Sequence, residues 1–133
     1  MAISDFFRRL DAPLTNSRWS WGGVREEDGA VFLRVWQDHF ESGQIRITWA
    51  DRHIDADNGY VERLRHIELI RAGAPCFLVM CEAVDPQAHS RKIKAFDDDF
   101  VFAGGDLETR GEDVWIRKGK RIPVADVLPE KRS

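Results

Sequence analysis

The chain is poor in cysteine, methionine and tyrosine, with two Cys, two Met and one Tyr in 133 residues. Cys76 and Cys81 lie an odd number of positions apart, so within a strand they point to opposite faces and can neither pair nor share a metal. A disulfide scaffold and a thiolate metal site are thereby excluded, and free thiols fit a reducing cytoplasm, the expected location. Long apolar runs are also missing. The longest, Cys76-Phe-Leu-Val-Met-Cys81, falls far short of the roughly 20 residues needed to cross a bilayer, and Met1 to Leu10 carries no secretory apolar region, so no membrane partner is expected. Charge of one sign is not in excess. With 20 Lys+Arg against 23 Asp+Glu the net charge is -3, which gives no overall basic field for non-specific nucleic-acid binding and leaves only local patches. Phosphate-cradling GxxxxGK[ST], dinucleotide GxGxxG and nucleophile-elbow GxSxG motifs are absent. His39, His53, His66 and His89 show neither HxH nor HExxH spacing and read as surface or boundary residues. Asp97-Asp-Asp99, and Asp51, Asp55 and Asp57 with Asn58, lack the pattern of a calcium loop and read as solvated turns. No catalytic residue, cofactor or metal is expected.

What is present suits one globular domain spanning 1–133: 43% hydrophobic and 32% charged residues, without repeats or a linker. Ser4 can cap a short helix to about Leu10. Trp19 to Arg25 and Ala30 to Asp38 flank Glu26-Glu-Asp-Gly29, a hairpin signal, and Gln44 to Trp49 alternates as a half-buried strand does. A helix follows from Asp57 or Asn58 to about Ala72, with Tyr60, Val61, Leu64, Ile67 and Ile70 expected inward, and Glu62, Arg63, Arg65 and Glu68 outward. Gly73 stops it, and Cys76 to Ala83 reads as a central strand buried on both faces. Shorter strands are expected at Lys92–Phe96, Phe100–Ala103, Val114–Lys118 and Arg121–Val124, with turns at Gly104-Gly105, Arg110-Gly111 and Lys118-Gly119-Lys120. The fold class is α+β: a small, mainly antiparallel, partly open β-barrel with one main helix and a short N-terminal helix.

Five Trp in so short a chain are the unusual feature. Alternation puts Trp19 and Trp21 on one side, and Phe32, Arg34, Trp36 and Asp38 on one face of the next strand, opposite the core stripe Val31, Leu33 and Val35. Aromatic plates with an Arg and an Asp between them can bracket a flat ligand and pair with a base edge. The same residues can instead form a second layer of core. Arg91-Lys-Ile-Lys94 and Arg117-Lys-Gly-Lys-Arg121 are local basic clusters. Lys92, Lys94, Lys118, Lys120 and Arg121 can contact phosphates, or protect strand edges from aggregation.

Asn16-Ser-Arg-Trp-Ser-Trp-Gly-Gly-Val-Arg25, Val31 to Asp38 and Arg65-His-Ile-Glu-Leu-Ile-Arg-Ala-Gly73 resemble segments of small bacterial proteins, and segments that precede HNH nuclease domains in restriction-like proteins. In architecture the chain resembles the PUA-like group of EVE, SRA and YTH modules. That resemblance implies a pocket taking a flipped, often methylated, base, with Trp19, Trp21, Trp36 and either Trp49 or Tyr60 as plates and Arg34 and Asp38 as polar partners. The leading expectation is therefore a non-enzymatic module that holds a nucleobase of modified DNA or RNA, with any nuclease supplied by a partner. The alternatives are an adaptor or homodimer anchored by exposed Trp, and a small metal-dependent hydrolase.

Overall fold

The computed structural model describes residues 1–50, 58–88 and 91–129. Among these residues are two α-helices, α1 (Ile3–Arg9) and α2 (Asn58–Arg71), and eight strands: β1 (Gly22–Val24), β2 (Val31–Trp36), β3 (Phe40–Glu41), β4 (Gln44–Arg46), β5 (Cys76–Ala83), β6 (Ile93–Phe96), β7 (Phe100–Arg110) and β8 (Asp113–Pro123). They form one open sheet in the order β1-β2-β5-β7-β8-β4-β3, with β6 on the second half of β5. Among the described residues only the β2–β5 pair is parallel, and α2 lies in the connection between these strands. Every other pairing is antiparallel. The α+β class and mainly antiparallel sheet thus match the reading of the sequence.

Alternation along β2 and β5 sends side chains into two separate cores. Val31, Leu33, Val35, Cys76 and Leu78 join Ile45, Ile47 and Ile116 on the α2 side, with Ile67 from α2 itself. Phe32, Val79 and Cys81 join Phe6 and Phe7 of α1, and Leu10 just after it, on the other. The two thiols are free and occupy opposite cores; burial pushes Cys76 up to about 12 and Cys81 up to about 11, so neither is a nucleophile at neutral pH. The second face of β2 is therefore the second layer of core at Phe32, which is fully buried and stacked on Phe77 at 5.1 Å.

Each core is tied together by one buried arginine. Arg25 donates from Nε and Nη2 to the carbonyl of Leu10, and from Nη2 to that of Val127, joining α1 and the C-terminal segment to the hairpin turn. Arg63, the largest fully buried side chain, donates to the carbonyls of Ile47, Trp21 and Arg34 at 2.7–2.9 Å. Those carbonyls lie beyond the end of β4, just before β1 and within β2. The arginine therefore supplies donors where the two arms of the sheet are not hydrogen-bonded to each other.

This requirement turns α2 against its apolar pattern. Glu62, Arg63 and His66 face inward with Ile67, while Val61, Leu64 and Leu69 are 41%, 40% and 39% exposed. The expected inward positions Val61 and Leu64 and outward positions Glu62 and Arg63 are thus reversed, and His66 is a buried residue rather than a surface one. A guanidinium that satisfies three carbonyls outweighs burial of the two apolar side chains.

Other boundaries also differ. Ser4 lies inside α1, whose N-cap is Ala2. Strand β1 begins at Gly22, so alternation does not govern Trp19 and Trp21, and β4 ends at Arg46. The turns expected at Gly104-Gly105 and Lys118-Gly119-Lys120 are absorbed into β7 and β8, which run eleven residues each and take up the glycines through register shifts. Gly73 ends α2 with φ +106° as expected. His53, His89, Asp51, Asp55 and Asp57 fall outside the described residues. No helix among the described residues is long and apolar enough to cross a membrane.

Candidate functional site

Five segments separate in sequence bring aromatic and charged side chains into one belt. Its first section is Trp21 against Trp49, with ring centroids 5.8 Å apart and planes at 76°, and the Arg63 guanidinium 5.5 Å from the Trp21 ring. His39, in the turn after β2, lies 5.2 Å from Trp49. The neighbouring Asp38 leads to the second section. It accepts two hydrogen bonds from Arg91 at 2.7 and 2.8 Å, and the Arg91 guanidinium sits 5.2 Å from the Trp36 ring. The Arg91 pair holds the Asp38 carboxyl below its usual range, against an opposing effect of burial.

Local structure fixes these positions. Asp113 accepts from Thr48 Oγ1 and from the Ala50 N–H, and Thr48 Oγ1 accepts from the Val114 N–H, so the segment carrying Trp49 is held on the start of β8. Gly59, the second residue of α2, has no room for a side chain, because a Cβ there would stand 2.5 Å from Trp21 Nε1 and 2.7 Å from the Trp19 carbonyl oxygen. The indole and the preceding backbone therefore lie directly on the first turn of α2, beside half-buried Tyr60.

The expected plates divide by burial. Trp19, Trp21, Trp36 and Tyr60 are half-buried, while Trp49 is 7% exposed. The expected polar partners are engaged within the protein. Arg34 donates to the Ser20 carbonyl at 2.8 Å and burial lowers its pKa, while Asp38 is held by Arg91. The expected phosphate contacts fall on separate strands. Exposed Lys92 precedes β6 and Lys94, on β6, reaches Glu82 at 3.6 Å, whereas Lys118, Lys120 and Arg121 lie on β8. A hollow of about 480 Å³ lies between the start of α1 and β6, lined by Met1, Ile3, Ile93, Lys94 and Phe96 among others, and none of its lining residues belongs to the belt. Among the described residues no group of three His, Cys, Asp or Glu stands together as metal ligands would.

Sequence reasoning passed over His39, Arg63 and Arg91 as parts of the belt. Glu62, Arg63 and His66 cluster on one side of a helical wheel, a signal hidden by the stronger apolar pattern. The Asp38–Arg91 pair spans 53 positions and had no local trace.

His66 gives this region a pH dependence. Burial, then Arg63 and Arg65, pull its pKa down to about 4 from 6.5, so the folded imidazole is neutral at neutral pH. Between those values the unfolded chain binds the proton more readily, so stability falls as pH drops from about 6.5 to about 4 and the loss levels off below. The shift corresponds to at most about 3 kcal/mol. Urea midpoints at pH 7 and pH 4.5 are expected to differ accordingly in the wild type and to converge in His66→Gln; the same midpoint difference in both proteins would refute the assignment. Asp38, whose pKa is depressed, loses its contribution only at lower pH, below the ordinary carboxylate range.

No family model, curated protein or solved structure matches the chain.

Proposed function

We propose that the protein is a non-enzymatic binding module that holds a nucleobase, in the leading case a modified one in DNA or RNA, against this belt. The observation that carries the reading is the convergence of Trp21, Trp49, His39, Trp36 and Arg91 from separate segments, with Trp21 and Trp36 left half-buried. The Arg91 guanidinium lies over the Trp36 ring, where Asp38 holds it with two hydrogen bonds, and a guanidinium plane is a surface on which a base can stack. The PUA-like barrel belongs to the same reading. Support comes from α2, whose Arg63 links the β1–β2 arm to the segment after β4 across the opening of the sheet.

The test is fluorescence anisotropy with labelled single- and double-stranded oligonucleotides, modified and unmodified, at fixed salt. Stacking of one base contributes about 1–3 kcal/mol, so Trp36→Ala is expected to weaken binding about tenfold or more with the thermal midpoint nearly kept. Loss of folding would assign Trp36 to the α1 core, which it also touches.

One observation favours a second reading, an adaptor or homodimer. Its anchors would be Val61, Leu64 and Leu69 on the outward face of α2, beside the half-buried Trp residues first expected in that role. Light scattering separates the two, because a dimer dissociated by Leu64→Glu with no oligonucleotide affinity would replace the nucleobase reading.

A further inference from the structure

We infer that a second surface, the strip Phe100, Arg121, Phe102, Lys118 and Phe40, takes a single-stranded nucleic acid. The inference rests on the nucleobase reading above and names its substrate class. Phe100 and Phe102 lie two apart on β7 and share a face. Arg121 stands opposite Phe102 in the β7–β8 register, with its guanidinium 4.3 Å from the Phe100 ring. The register then shifts so that Lys118 pairs with Gly104, where a Cβ would stand 2.7 Å from the Sγ of Cys76. Lys118 Nζ lies 4.2 Å from the Phe102 ring and 5.0 Å from that of Phe40 on β3. The Lys118 N–H donates to the Gly43 carbonyl at 2.9 Å, which anchors β8 to the turn carrying β3 and β4.

The result is an alternation of ring, cation, ring, cation, ring across three strands. Phe40 is 47% exposed and Arg121 is exposed, while Phe100, Phe102 and Lys118 are half-buried. Among the described residues neither Lys118 nor Arg121 has a carboxylate partner; their near contacts are ring faces. Positive charges without a counter-ion attract phosphates, and the open part of each ring, largest on Phe40, offers a stacking face between them. A single strand presents the same alternation of backbone charge and base face. A duplex buries its base faces within the stack, so the rings would contribute nothing to holding it. Phe40 adjoins His39 in the chain, so the strip leads into the aromatic belt.

The experiment compares wild type, Phe40→Ala, Lys118→Gln and Lys118→Arg in the full chain, using a fluorescein-labelled oligothymidylate and a duplex of equal length as probes. The wild type is expected to prefer the single strand. Phe40→Ala and Lys118→Gln should each weaken that binding about fivefold or more while the thermal midpoint moves by only a few degrees, and Lys118→Arg should restore it. Lys118→Gln should also reduce the salt slope by about 0.7, a readout that a packing role would not change. Wild-type affinity in Phe40→Ala and Lys118→Gln would overturn the strip. If Trp36→Ala still weakened binding in that case, the belt would stand without the strip, whereas a wild type that bound no oligonucleotide would remove both. A fall in stability that tracks the fall in affinity, with an unchanged salt slope, would assign these rings and cations to sheet packing and also overturn the inference.

Discussion

Arg63→Met is expected to cost about 3–5 kcal/mol, a large share of the roughly 5–15 kcal/mol that holds an ordinary domain folded. The guanidinium serves the carbonyls of Ile47, Trp21 and Arg34, and a methionine of similar length serves none. Each buried acceptor left without a donor costs about 1–3 kcal/mol. Some of this is offset, because methionine removes a buried charge. Burial and the nearby Arg34 already pull the Arg63 pKa down to about 9. Arg63→Lys keeps the charge but loses the planar fork, and an intermediate loss is expected. Urea denaturation measures both, with the midpoint lowered and the slope kept. A methionine variant within 1 kcal/mol of wild type (on the order of an ordinary single hydrogen bond) would show that the arginine is not what sets the orientation of α2.

Phe32→Ala is expected to cost a similar about 3–5 kcal/mol for a different reason. Phe32 is fully buried against Phe77, and the Arg25 guanidinium lies over its ring, 5.0 Å from the centroid. Truncation opens a void between α1 and the sheet, and it also removes the ring on which the second buried arginine rests. The variant distinguishes the two readings of this strand face. A core residue costs stability and leaves ligand affinity intact in the folded fraction, whereas a plate would cost affinity and little stability. Chemical denaturation alongside an oligonucleotide titration measures both quantities.

Local patterns carried much of the fold. The alternation of Val31, Leu33 and Val35, the stop at Gly73 and the continuous apolar run from Cys76 each follow from near-neighbour sterics or from burial on two faces. All three appear in the structure as read from the sequence. The face of α2 was not legible in this way. Its orientation answers to carbonyls supplied by three segments remote from it in sequence, a demand that no helical periodicity records. Lys118-Gly119-Lys120 misled for a related reason. Such a tripeptide suits a turn in isolation, but β8 continues through it because β7 pairs on both sides of the irregularity.

The candidate site was half legible. Trp21, Trp36 and Trp49 stood out by residue type, and the structure gives each of them an aromatic or cationic neighbour. Arg34 and Asp38 were singled out as base-edge partners on alternation alone. Alternation fixes the side of a strand but not what already occupies it, and both are engaged by the chain itself. Phe40, Phe100 and Phe102 drew no notice, because their shared strip depends on the register between β7 and β8 and on the turn before β4.

In the proposed function, planar bases stack on the half-buried indoles of Trp21 and Trp36. Titration of the folded protein with a single-stranded oligonucleotide, followed by intrinsic tryptophan fluorescence, tests it most directly. The account predicts saturable quenching that weakens in Trp36→Ala and is relieved as salt rises. An emission spectrum that stays unchanged up to millimolar oligonucleotide at low salt, with the protein still folded, would contradict it.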